Sequence, residues 1–206
     1  MEARQDLRSQ PLSLDQVLAV WLPRRVNALE GTLSVLNLCE EFDDSTPISI
    51  TIAGKPAMNL NLSTFADPLI DIGFLHARAL LEFLGLGARK GKLVQLTKRQ
   101  ASDIAIEHYS INGKSLSMVS PTDVFGAINM PQPVIEWSLV NIIETANKLI
   151  AHVTTGEVLA MAMYQQVRIG FESIPVLLQD HLYAKLETTQ EQPKPIGERY
   201  ACNHHR

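Results

Sequence analysis

A chain of 206 residues with 46% hydrophobic and 19% charged residues has enough apolar material for one good-sized domain with a real core. Its net charge of −4 excludes a global pull toward nucleic acid or anionic membrane, so such binding needs a local basic patch. No apolar run reaches the roughly 18 residues of a membrane span. The charged start lacks the apolar stretch of a signal peptide, and the widely separated Cys39 and Cys202 make no disulfide framework, so a reducing, cytoplasmic setting is expected.

Residues 1–12 read as a flexible arm, and residues 13–187 as a single helical domain. Ser13 and Gln16 have the spacing of a capping box. Behind them Val17, Val20, Trp21, Val26, Leu29, Leu33, Leu36 and Cys39 recur at threes and fours. This predicts a helix to about Phe42, split or kinked at Pro23. The period then changes to two. Ile48, Ile50 and Ile52 alternate with polar residues, as do Met58, Leu60 and Leu62, around Ala53-Gly-Lys-Pro56. A β-hairpin is expected over 47–62.

From Phe65 to Leu84 the helical period returns with a wide apolar face, and Gly85 and Gly87 are expected to end it. Residues 85–102 form a basic connector with Arg89, Lys90, Lys92, Lys98 and Arg99, and read as a solvated loop. Its "GLGARKGK" is not a phosphate loop. Three residues rather than four separate Gly87 from Gly91, and Lys92 precedes Leu93 rather than Ser or Thr. The five cations are a candidate patch for nucleic acid or an acidic partner, though no aromatics are interleaved. A short helix is expected from Ser102.

Asn112-Gly113 signals a tight turn that closes a second hairpin if its flanks pair. Ser120-Pro121-Thr-Asp123 is a helix start, stopped by Pro131 and Pro133. Val134 to Val153 carries the seam Ile135, Leu139, Ile142, Ala146, Leu149 and Val153. Glu157 to Leu186 is a last helical pattern bent at Pro175. The Gln-, Pro- and charge-rich residues 188–206 are expected to be disordered. The tail residues Cys202, His204 and His205 lack a preformed cage, so no metal site is assigned, nor any cofactor. The expected fold is mainly α: an antiparallel bundle of about four main helices with a small β-hairpin insertion.

The polar stripe Asn141, Thr145, Lys148 and His152 lies opposite the seam of the third main helix. In itself it reads as a solvated face with a Glu144–Lys148 ion pair. Its "ANKLIAHVT", together with the earlier "FLHARALLEFLGL", resembles uncharacterised bacterial helical proteins of HEPN-like character. The resemblance covers two helices. It implies a helical bundle, a homodimer, and in many members a ribonuclease using Arg followed four to six residues later by His. Here Asn147 stands in the Arg position, Lys148 follows it, and His152 is the matching His. The loss of Arg removes a bidentate phosphate grip.

Two functions follow as expectations. The first is a non-catalytic module that binds an RNA or protein partner through a polar groove and the basic connector. The second is a metal-independent ribonuclease with His152 as acid/base, and Lys148, Asn147 and Arg78 around the phosphate. His76, among apolar neighbours, reads as a partly buried histidine bonded to a carbonyl. The ribonuclease expectation has a direct measurement: RNA is cleaved in the presence of a metal chelator, and cleavage is lost in His152→Ala. An inactive wild type removes it.

Overall fold

The computed structural model describes residues 12–100, 103–147 and 161–186. The expected arm and tail, together with Lys148, Leu149, His152, Val153 and Cys202, lie outside these residues, apart from Leu12 at the arm's end.

Helix α1 (Leu14–Gln16) opens on Ser13, whose hydroxyl accepts from Gln16 N while Gln16 returns the bond, the capping box expected from the sequence. It passes through a π-helical turn (Val17–Trp21) into α2 (Leu22–Glu41). The reason is Pro23, which has no N–H to give and would clash with a carbonyl one turn back. Widening that turn accommodates the ring, so the expected kink is a π-bulge. One expected core position fails: Val20 is 67% exposed.

Strands β1 (Pro47–Ile52) and β2 (Lys55–Asn61) pair antiparallel around Ala53-Gly54. Both turn residues have positive φ, 51° and 77°, as a type I′ turn requires. Ile48 faces Leu60 and Ile50 faces Met58 on one side, and Ser49 donates to Asn59 on the other. Helix α3 (Leu62–Leu84) starts on the Asn61 cap and ends at Gly85.

The basic connector is not a plain loop. Strands β3 (Leu86–Arg89) and β4 (Lys92–Gln95) form a hairpin with Lys90 and Gly91 at its turn, and Gly87 lies inside β3 instead of ending a helix. Buried Leu86 and Leu93 tie this hairpin to the core. The helix expected from Ser102 is only a 3₁₀ turn, Ile106–His108. Strands β5 (Ser110–Ile111) and β6 (Lys114–Ser115) close the expected hairpin at Asn112-Gly113.

Helix α4 (Pro121–Ala127) is capped by Ser120 in a second capping box, with Asp123. Helix α5 (Gln132–Thr145) buries Ile135, Leu139 and Ile142 as expected, and Ala146 just beyond it. Helix α6 (Met161–His181) carries Pro175 without interruption and buries Val167, Phe171, Ile174 and Leu178. The molecule is thus mainly helical with small antiparallel strand pairs. It departs from a simple four-helix bundle, because α4, the π-turn and three hairpins break up the long elements.

Helix α2 packs along α3 and α5 along α6, and α3 also touches α5 and α6. Each of the two main pairs meets through a glycine and a buried hydroxyl. At α2–α3, a Cβ on Gly73 would lie 2.1 Å from Thr32 Oγ1. That hydroxyl donates to Ala28 O and Leu69 O, each at 3.0 Å. At α5–α6, a Cβ on Gly170 would lie 2.5 Å from Ile142 Cδ1. Ser138 Oγ donates to Gln166 O at 2.6 Å and accepts from Gly170 N at 2.7 Å. The hydroxyl is therefore inserted into the backbone ladder of α6. Ser138→Ala leaves a buried N–H and a partly buried carbonyl without that bridge. The expected loss is about 1–3 kcal/mol in urea unfolding; an unchanged midpoint would show that the insertion contributes nothing.

Candidate functional site

Three cations from two segments of the chain, Arg78 on α3 and the neighbours Lys98 and Arg99 after β4, converge on one cleft of about 630 Å³. Its walls are Trp21 before α2, Arg78, Ala79 and Glu82 of α3, and Leu96, Lys98, Arg99, Gln100, Asp103 and Ile104 of the segment after β4. The folding of β3 and β4 onto the core brings this segment back beside α3.

The cleft is a mosaic of both signs. Arg78 pairs with Glu82, the helix neighbour four residues on, at 2.9 Å. Arg99 grips Glu107 with two bonds, Nε to Oε1 at 2.6 Å and Nη2 to Oε2 at 3.2 Å. This bidentate, half-buried pair fixes the segment's course, where an exposed single contact would contribute little. Asp103 Oδ2 accepts from Gln100 N at 2.8 Å. Lys98 is exposed and has no ion-pair partner among the described residues.

Trp21 is held by two neighbours. The Arg25 guanidinium lies 3.7 Å from its ring centroid, and the Phe83 ring packs at 5.4 Å. Arg25 Nη1 also donates to Trp21 O at 3.3 Å. Partial burial, then the charge of Arg24, lowers the Arg25 pKa, and Arg25 Nε is buried without a hydrogen-bond partner. His76, two residues before Arg78, is half-buried. The carbonyl partner expected for it is not found among the described residues. Its environment is electrostatic instead: burial first, then Arg25 and Arg24, push its pKa down.

The structure thus sorts the sequence candidates into three groups. Arg78, Lys98 and Arg99 are brought together in the cleft. Arg89, Lys90 and Lys92 stand apart at the β3–β4 turn, with Lys92 paired to Glu136 at 3.2 Å. Asn147, partly buried, closes the described part of the α5 region, and its motif partners Lys148 and His152 lie outside the described residues. Among the described residues no group of three His, Cys, Asp or Glu side chains could hold a metal ion, and no helix is long and apolar enough to cross a membrane.

The sequence reading missed Trp21 and Arg25, taking the first as core only. Their spacing of four on a helix was the available signal. Glu107 as the partner of Arg99 could be suspected only from its proximity in the chain.

A falling pH should cost stability through His76. A histidine whose folded pKa is lowered binds its proton more readily when unfolded. Its contribution is complete above the ordinary imidazole pKa and is lost as pH falls through the lowered folded value. His181 is lowered too, first by burial, and acts in the same direction. Urea unfolding is therefore expected to weaken between about pH 7 and pH 5, and to weaken less in His76→Gln. An identical pH slope in the variant would contradict this.

No protein-family model matches the chain. No solved structure matches it. Among curated proteins, the chain is 26% identical over 162 residues to the intermembrane lipid transfer protein vps13A of Dictyostelium discoideum. The match spans 73% of this chain but 4% of that protein.

Proposed function

We propose that the chain is a non-catalytic cytoplasmic interaction module whose cleft takes an acidic protein surface. The observation that carries this reading is the convergence of Arg78, Lys98 and Arg99 beside the Trp21–Arg25 stack. The interleaved carboxylates favour a protein over nucleic acid. A continuous phosphate backbone laid along the cleft would meet Glu82 and Asp103 as well as the cations. The Arg25 guanidinium already lies over the Trp21 ring, so that face is not open to a stacked base. A protein surface with spaced acids can pair with Lys98 and share the Arg78–Glu82 ion pair, leaving the carboxylates to its own polar groups.

Lipid transfer belongs by name to the vps13A protein, and a match to 4% of that protein adds no membrane role to this reading. The ribonuclease reading rests on the motif Asn147, Lys148 and His152 and stays with the RNA-cleavage measurement.

Fluorescence anisotropy tests the proposal. A labelled peptide of alternating Glu and Leu is expected to bind. Arg78→Glu with Lys98→Glu should weaken it about tenfold, roughly 1.4 kcal/mol. Tighter binding of a single-stranded RNA of equal charge, lost in the same variant, would overturn it.

A further inference from the structure

Three basic side chains stand together where α2 and α3 meet. The helices run antiparallel, with Trp21 against Phe83 and Thr32 against Gly73. Between those two contacts the facing stripe of α2 carries Arg25 and Ala28. The facing stripe of α3 carries His76 and Leu80. Both follow the steps of three and four that keep one helix face. Arg25 and His76 are partly buried, and Arg24 is exposed beside them.

This cluster lacks a counter-charge. The chain has no acid between Asp15 and Glu30, nor between Asp71 and Glu82. Arg78, Arg99 and Arg168 each meet a carboxylate, whereas Arg24 and Arg25 meet none among the described residues. The charges bearing on His76 are those of Arg25 and Arg24, both of its own sign when it is protonated. Arg25 is held flat over Trp21 at 3.7 Å, with Nη1 bonded to Trp21 O. Its Nε has no hydrogen-bond partner, so its donors are not used up. Trp21 is also a wall of the cleft, and Ala79, one turn after His76, is another. The cluster therefore borders the cleft.

Its charge says what fits. A carboxylate offsets one arginine. A phosphate monoester carries close to two charges at neutral pH and three acceptor oxygens, enough for both guanidinium groups and the imidazole. We infer that Arg24, Arg25 and His76 bind the phosphate of a phosphorylated serine or threonine on the acidic partner that the cleft takes. This rests on the reading of the cleft as a protein-binding site.

Fluorescence anisotropy with three matched peptides tests it. Each carries the Glu–Leu run and one added residue, serine, phosphoserine or glutamate, placed at either end in turn. From one end, phosphoserine is expected to bind at least tenfold tighter than serine, about 1.4 kcal/mol, and glutamate to recover only a small part. Arg24→Gln, at an exposed position, should remove most of that gain, as should His76→Gln. Lys98→Glu should weaken both peptides and keep their ratio. The bound dianion should also raise the His76 pKa, read from its imidazole C–H shift, because it supplies the charge opposite to Arg25 and Arg24. Equal binding of serine and phosphoserine peptides overturns the inference while the cleft stands. So does a gain that survives Arg24→Gln, a full gain from glutamate, or a His76 titration that does not move. Inorganic phosphate bound as tightly as the phosphopeptide, or tighter binding of a 5′-phosphorylated RNA, overturns the phosphoprotein partner. A phosphopeptide bound where its serine form is not, with loss in Arg24→Gln, upholds the phosphate site and removes the cleft. If no peptide binds, both readings fall.

Discussion

The distance between α2 and α3 is the constraint on which the rest of the structure depends. Gly73 has no side chain where Thr32 sits, and a methyl there would overlap the threonine at 2.1 Å. The helices can therefore approach closely, and the Thr32 hydroxyl reaches across to Leu69 O. About three helical turns before Thr32, Trp21 meets Phe83 of α3, so the two helices run antiparallel and stay together to the cleft. A wider separation at Gly73 would move Trp21 and Arg25 away from Arg78. The second pair, α5 and α6, uses the same device with Ser138 and Gly170. In both places a small residue gives proximity and a hydroxyl bonds the backbone of the facing helix.

The cleft depends on this scaffold and on the β3–β4 hairpin. Leu86 and Leu93 bury that hairpin, and Glu136 of α5 holds it from the side by accepting from Leu93 N and Lys92. The chain then returns along α3, where the Arg99–Glu107 pair fixes it. The result is a surface with cations in defined places and carboxylates between them. Such a pattern selects a partner by the spacing of its charges more than by their total.

Much of the fold was legible where local rules act alone. Alternation around Ala53-Gly54 marked the first hairpin, Ser120 and Asp123 marked α4, and Ser13 and Gln16 marked the start of α1. Pro23 marked an interruption, but not that the turn would widen instead of kinking. Residues 86–95 were misread as loop because five nearby cations outweighed the short apolar pairs. The Lys90-Gly91 turn was the missed sign. The site was less legible. Arg78, Lys98 and Arg99 were each singled out, but their meeting depends on a tertiary return of the chain that no spacing encodes. The acids that balance the connector, Glu107 and Glu136, lie beyond it in sequence. The unbroken basic character read from the chain is therefore offset in space at Lys92 and Arg99.

The close approach of α2 and α3 can be measured directly by a double-mutant cycle at Thr32 and Gly73 in urea unfolding. Gly73→Ala should cost about 1–3 kcal/mol by overpacking. Thr32→Ala should cost about 1 kcal/mol for its hydrogen bond. Together they should cost at least about 1 kcal/mol less than their sum, because alanine at 32 vacates much of the space that the new methyl needs. Additivity within about 0.5 kcal/mol would show that the two residues do not share that space, and would contradict the constraint from which the cleft is built.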